Sequence, residues 1–199
     1  MRVIHFFDYK SPYAYLVQAD ARALETECGA ELVLLPYTLS DAEFASPSPD
    51  AMATDRDAPA RRRRARYVLR DCKREATRRG LPLVPPPAPV DSADAHVAFL
   101  YARRQGDPRA FHDALFDRFW RRSLDLGDLD VLCQLLSSVG LDAAGFPSFL
   151  EGAGRAEYAR LEEWAHEAGV FGVPSFLVGN ELFYGMERIP HVREALEKL

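Results

Sequence analysis

Several chemistries are missing from this 199-residue sequence. It has three cysteines, Cys28, Cys72 and Cys133, widely spaced and with no C-x-x-C pair. That excludes a local dithiol redox motif and argues against a zinc ribbon or a disulfide framework. Each cysteine lies in a helical pattern and reads as a small buried residue. The histidines, His5, His96, His112, His166 and His191, show no metal-ligand spacing and read as structural or surface groups. No apolar run approaches the ~18 residues of a membrane span, and the stretch before Asp8 is too short for the apolar part of a secretion signal. The expected location is therefore the cytoplasm, with no membrane partner. Positive charge is not in excess either: the net charge is −5, which argues against a dedicated nucleic-acid binder. What is present is an ordinary globular composition, 48% apolar and 28% charged, in a chain long enough to bury a substantial core.

The organising stretch runs from Phe6 to Leu16. Val3-Ile4-His5-Phe6-Phe7 is an apolar run suited to a buried strand, and Ser11-Pro12 then opens a helix. Serine caps free backbone N–H groups, and proline at the first helical position gives up a donor that would go unused. The helix is expected to reach Gly29, and Glu31 to Pro36 forms a second strand. Strand, helix, strand is a βαβ unit whose strands should be parallel. Ser11 then sits at the positive end of a helix dipole, a place suited to phosphate, carboxylate or thiolate. It is either a cap alone or a cap whose hydroxyl also serves chemistry at the helix mouth.

Residues 41–60, rich in Asp, Ser and Pro, read as a long polar loop. A helix over 61–79 follows, carrying the run Arg61-Arg62-Arg63-Arg64. That run is either a solvated face or a source of one or two arginines for ligand carboxylates. The proline-rich stretch 83–89 should be extended. Helices are then expected from a Ser92 cap to Gly106, after Asp107-Pro108, from an Asp128 cap to Gly140, briefly over 142–152, and from Glu157 to Ala168. Ser175–Val178 and Glu181–Tyr184, joined by Gly179-Asn180, read as a hairpin. A last helix holds Pro190 in its first turn and turns Val192, Ala195, Leu196 and Leu199 inward. The order βαβ, helical block, αββα predicts an α/β, thioredoxin-like fold with a large all-helical insertion. Residues 1–40 and 155–199 would form the discontinuous thioredoxin-like domain and 41–154 the insertion.

Three stretches together resemble one family: Asp8-x-x-Ser11-Pro12-Tyr13-x-Tyr15-Leu16, Ala65-Arg66-Tyr67-x-x-Arg70-Asp71, and Gly169-Val170-Phe171-Gly172-Val173-Pro174-Ser175-Phe176. They are similar to the 2-hydroxychromene-2-carboxylate isomerase family, which is related to kappa-class glutathione transferases and the wider DsbA-like thioredoxin superfamily. The resemblance implies a cis Val173-Pro174 bond and a glutathione site in the cleft between that loop and Ser11. By the same resemblance, Ser11 stands where redox relatives carry their attacking cysteine. A hydroxyl cannot form a disulfide, but it can donate to the glutathione sulfur and raise its thiolate fraction. Val173 would pair its backbone with the glutathione peptide beside Pro174. Tyr13 and Arg64 would contact an aromatic carboxylate substrate, and Glu187-Arg188 would meet the charged ends of glutathione. The implied reaction is reversible thiol addition to the substrate, with ring opening and bond rotation, in aromatic catabolism. A homodimer fits the resemblance. Residues 41–60 depart from the family by holding no Asn, so a contact to glutathione or substrate commonly made there is either missing or supplied differently. The alternatives are a kappa-like glutathione transferase acting on another electrophile and a non-catalytic thioredoxin-fold binding protein. All of the thiol chemistry requires a Ser11 that is open to the cleft and faces Val173-Pro174.

Overall fold

A computed structural model describes residues 1–40 and 58–198; of Ala58, Arg61 and Arg62 only the backbone is described. Most of the polar stretch over 41–60, and Leu199, therefore lie outside the described residues. The strands are β1 (Arg2–Phe7), β2 (Glu31–Pro36), β3 (Ser175–Val178) and β4 (Glu181–Tyr184). They form one sheet in the order β2-β1-β3-β4, with β1 and β2 parallel and the other pairings antiparallel. Flanked on both edges, β1 buries Val3, His5, Phe6 and Phe7, which is why its sequence is nearly continuous in apolar residues. The expected thioredoxin-like sheet and its βαβ start are present, and the hairpin turns at Gly179-Asn180.

Between β1 and β2 the expected single helix comes as two pieces, α1 (Pro12–Leu16) and α2 (Gln18–Cys28). The Gln18 side-chain amide donates to the Ala14 carbonyl at 2.7 Å, taking the acceptor its own backbone N–H would use in an unbroken helix. Backbone bonds from Val17 to Tyr13 and from Ala21 to Val17 carry the chain across this joint. After β2 come α3 (Ala58–Arg79), α4 (Ala93–Gln105), α5 (Arg109–Trp120), α6 (Leu129–Ser138), α7 (Phe146–Phe149), α8 (Arg155–Glu167) and, after β4, α9 (Ile189–Glu197). The expected gap before α8 is filled by a π-helical turn, Leu150–Gly154. There a Cβ on Gly154 would stand 2.5 Å from a Val97 methyl, so this close crossing against α4 requires glycine.

Three smaller expectations give way. Asp91, not Ser92, bonds the first free N–H of α4, at 2.9 Å, and the buried Ser92 makes no cap bond. Only Cys72 is buried, whereas Cys28 and Cys133 are partly exposed. Leu129, which its spacing to Leu132 and Leu136 puts on the inner face of α6, is exposed instead.

The core is continuous across the topological insertion. Phe7 from β1 meets Phe99 of α4 and His112 and Phe116 of α5 through tilted or edge-on rings, with centroids as near as 4.4 Å. Burying one such ring contributes about 3 kcal/mol, and its edge contacts add to that. The sheet and the helical segment are thereby held in fixed relation, which sets the two cavities at the carboxyl end of β1 and β2.

Candidate functional site

The chain leaves β1 through Asp8, turns at Lys10 and enters α1 with Ser11 as its cap. The Ser11 hydroxyl accepts from the Ala14 N–H at 3.2 Å and donates to the Val173 carbonyl at 3.4 Å. The Val173-Pro174 bond is cis, as the resemblance implied. Ser11 therefore faces the proline loop across 162 residues of sequence. The other half of the requirement is not met: Ser11 is fully buried, and neither it nor Val173 lines either of the two cavities described below. Its oxygen serves the cap on one side and the Val173 carbonyl on the other. That second bond is long for O–H···O and correspondingly weak, so the hydroxyl can be drawn off it.

Beside this contact lies a cavity of about 590 Å³, lined by Tyr13, Pro174, the end of β4 from Tyr184 to Glu187, and one face of α3. Tyr13, Pro174 and Glu187 reach it as expected. Arg188 and Arg64 are exposed and do not line it. Arg64 shares a helical face with Asp71, seven residues on, but lies about two turns (~10 Å) beyond it along α3. The residues on α3 that do line the cavity are Tyr67, Asp71 and Glu75, at four-residue steps, and Arg78 and Arg79, three and four residues beyond Glu75. Their spacing was visible in the sequence; which face of α3 looks inward was not.

The charges that α3 brings to this cavity are paired. Arg74 donates to Asp71 at 2.8 Å and holds its carboxyl below the usual range, aided by the Tyr13 hydroxyl at 2.9 Å. Arg78 does the same for Glu75 at 2.7 Å, and Arg79 reaches Asp20 at 2.7 Å. Burial is the main reason the Tyr13 phenol is pushed well up, and its neighbours Cys72 and Asp71 add to the effect. Gly185, at φ +106°, turns the chain over the cavity while its N–H donates to the Pro174 carbonyl at 2.9 Å. A Cβ there would also collide with the Glu187 carboxylate. Next to the proline loop the Phe171 and Tyr184 rings pack with centroids 4.7 Å apart. Gly172 lies so close to Tyr184 that a Cβ would stand 2.8 Å from its ring.

A second cavity, about 360 Å³, opens on the other side of Phe171, among Tyr37, Thr38, Leu39, Ser40, Ala93, Tyr158, Glu162 and His166. Behind it is a chain of polar groups that sequence patterns did not reveal. Asp8, fully buried, accepts from the Lys10 and Leu39 N–H groups at 3.1 and 2.8 Å, and its Oδ1 lies 3.3 Å from His96 Nε2. Burial works to raise its pKa, but His96, Ser92 and the Leu39 N–H outweigh it and keep the carboxyl below the usual range. His96 Nδ1 is 3.0 Å from the Thr38 hydroxyl and 3.1 Å from that of Tyr158, which donates to Glu162 at 2.8 Å. His96, read from sequence as structural, thus stands between a buried carboxylate and two hydroxyls, bonded to the hydroxyls through Nδ1 while Nε2 lies near Asp8 without hydrogen-bond geometry.

A cis-proline loop facing a helix N-terminus on a mixed four-stranded sheet defines the thioredoxin class, here with a helical segment between β2 and β3. A family model described as the DSBA-like thioredoxin domain matches residues 2–197. The chain belongs to that family. A 2-hydroxychromene-2-carboxylate isomerase of Sphingobium xenophagum is 29% identical over 195 residues, covering 96% of this chain and 95% of the relative. The solved structure of a 2-hydroxychromene-2-carboxylate isomerase matches with a TM-score of 0.77 at 24% identity, covering 100% of this chain and 95% of that one. A probable DsbA oxidoreductase of Streptomyces coelicolor matches with a TM-score of 0.79 at 22% identity, covering 100% and 89%. At these identities the two structures speak for the fold alone. Among the described residues no helix is long and apolar enough to cross a membrane.

Proposed function

We propose that the protein is a glutathione-dependent isomerase acting on an aromatic carboxylate of the 2-hydroxychromene-2-carboxylate kind. The observation that carries this reading is similarity to an isomerase of that name along essentially the full length of both chains. The first cavity supports it chemically. Glutathione brings one ammonium and two carboxylates, and the lining offers Glu187 for the ammonium and Arg78 for a carboxylate, with Arg188 close by. The Val173 backbone beside Pro174 would hold the cysteinyl peptide as a strand edge holds a peptide. Tyr13 and, at the outer end of the α3 face, Arg64 would meet the substrate. Ser11 would act only after the Tyr13–Pro174 wall parts enough for a sulfur to replace the Val173 carbonyl as its acceptor. Its hydroxyl and the N-terminal end of α1 would then stabilise the thiolate that adds to the substrate and later leaves.

An oxidoreductase reading has the fold in its favour, but not the chemistry. Ser11 cannot form a disulfide, and the nearby Cys72 thiol is pushed up to about 12, chiefly by burial, which leaves almost no thiolate.

The test is a spectrophotometric assay on a hydroxychromene carboxylate with and without glutathione, paired with glutathione calorimetry. Isomerisation that requires glutathione, and falls ~10²-fold in Ser11→Ala, is the expected result. Turnover without glutathione, or heats showing no binding at millimolar ligand, removes the thiol mechanism. Consumption of glutathione into a stable adduct would instead mark a transferase. Binding with no turnover of either kind would mark a non-catalytic binding protein.

A further inference from the structure

The second cavity belongs to no step of the thiol chemistry above, and its wall carries charge of one sign. Glu162 of α8 lies in that wall, half-buried, and among the described residues no lysine or arginine lines the cavity or pairs with its carboxylate. Other half-buried carboxylates are neutralised: Asp71 by Arg74, Glu75 by Arg78, and Glu157, on the same helix as Glu162, by Arg103 and Arg104. What holds Glu162 is neutral. Its Oε1 accepts from the Tyr158 hydroxyl at 2.8 Å and from the Thr38 N–H at 3.3 Å, while Oε2 takes no bond from the described residues. Such donors fix the carboxylate and favour its charged form without cancelling the charge.

The hydroxyls behind the carboxylate point towards it. Because the Tyr158 proton goes to Glu162, the short contact between the Tyr158 and Thr38 hydroxyls takes the Thr38 proton, and neither is left to donate into the cavity. This side of the cavity therefore accepts. The remaining walls are aromatic. Tyr37 and His166 meet edge to face, with centroids 5.4 Å apart, and form a corner. Phe171, held by its contact with Tyr184, lines the cavity with a ring that is 59% exposed. A ring face carries partial negative charge, so a carboxylate among such rings attracts a cation that is large, weakly hydrated and partly apolar. Carboxylates and phosphates are repelled. A small metal ion needs several oxygen or nitrogen ligands, and among the described residues no group of three metal-binding side chains stands here.

We propose that this cavity binds an organic ammonium ion, with Glu162 as its counter-charge and the rings of Tyr37, Tyr158 and Phe171 against its methyl or methylene groups. The volume, about 360 Å³, has room for a trimethylammonium head and a short chain. Oε2 of Glu162 is the acceptor for an N–H or O–H that the ligand carries. A quaternary ammonium spreads its charge over its methyl groups and is weakly hydrated, so one carboxylate and a set of rings suffice to replace its water. No bond is made or broken. The proposal is independent of the isomerase reading, since none of the groups it invokes takes part in the thiol chemistry.

The test is calorimetry of choline binding to the full-length protein without glutathione, at about pH 8 so that imidazole charge does not compete. The uncharged isostere 3,3-dimethylbutanol, with carbon in place of the nitrogen, has the same shape and is titrated alongside. Choline is expected to bind at millimolar concentration or below, and the isostere at least ~10-fold more weakly. Glu162→Gln keeps an acceptor for Tyr158 and should weaken choline about tenfold while leaving the isostere unchanged. Glu163→Gln removes the same charge from an exposed position that does not line the cavity and should change nothing. Phe171→Leu, at an exposed ring, should weaken choline several-fold. Equal binding of choline and its isostere, an unchanged affinity in Glu162→Gln or Phe171→Leu, an equal loss in Glu163→Gln, or no binding at tens of millimolar choline would overturn the proposal. If Glu162→Gln failed to fold by circular dichroism, the isostere and Phe171→Leu would still decide. Because glutathione is absent, failure here leaves the isomerase reading intact, and failure of glutathione to bind leaves this one intact.

Discussion

The two cavities flank the same proline loop and are built in opposite ways. Around the first, Arg74 with Asp71 and Arg78 with Glu75 are paired near the surface, and the more buried Arg79 is paired with Asp20. Around the second, the polar groups are sunk in the core, with Asp8 beside His96 and His96 bonded to Thr38 and Tyr158. Exposed pairs are weak and readily exchange partners, so a ligand carboxylate can take Arg78 from Glu75 at little cost. A buried chain has its geometry fixed before any ligand arrives, and it fails as a unit when one member is lost. One side of the loop is thus suited to capture and the other to holding its groups in place.

The comparison predicts unequal responses to equal changes. Asp8→Ala leaves the Lys10 and Leu39 N–H groups without their acceptor in the core and should lower the unfolding free energy by about 4 kcal/mol. Asp71→Ala, on the open side, should change it by less than about 1 kcal/mol. Urea titrations of the two variants side by side would break the comparison if the losses were equal.

Acid should act through the buried side as well. Burial lowers the pKa of His5 to about 3, with no bonded partner for either ring nitrogen, and holds His112 well below its usual value. The unfolded chain takes up a proton at His5 from pH 6.5 downward, whereas the native state does not until about pH 3. Stability therefore falls as pH drops through that window, by about 2 kcal/mol at pH 5 for His5 alone. His112 adds a loss of the same sign. The lowered Asp8 contributes stability that is kept above pH 4 and lost only below, so the first loss on acidification belongs to the histidines. Urea midpoints at pH 7.5, 6 and 5 check this, and His5→Phe, which can keep the stack on Phe176, should flatten the curve.

The smallest effect on folding, and the most specific one on binding, is expected from Arg78→Ala. The unfolding midpoint should not move, while glutathione affinity by calorimetry should fall roughly tenfold, the loss of one charge-assisted bond.

What the sequence disclosed follows the reach of its local signals. The Ser11-Pro12 start, the Gly179-Asn180 turn and the apolar run of β1 are each decided by neighbours a few residues apart, and each is found. The core faces of α4 and α5 follow from their spacing, since Ala95, Phe99, Ala102, Phe111 and Leu115 are all buried. The Asp8–His96–Tyr158 chain could not be read that way, because its members are 88 and 62 residues apart and no period connects them. Arg78 and Arg79, outside the conspicuous Arg61 to Arg64 run, are the arginines that line the cavity among the described side chains of α3. Ser11 was placed opposite Val173, but its complete burial depends on how tightly the proline loop closes over it, which no local rule describes.

Phe171 borders one chamber and Tyr184 the other, and their rings lean on each other across Gly172. They make a party wall one aromatic pair thick. An occupant pressing on either face must shift a ring that the opposite room depends on. Two compounds bound together in this protein would then sense one another, and the order in which they arrive would matter to both.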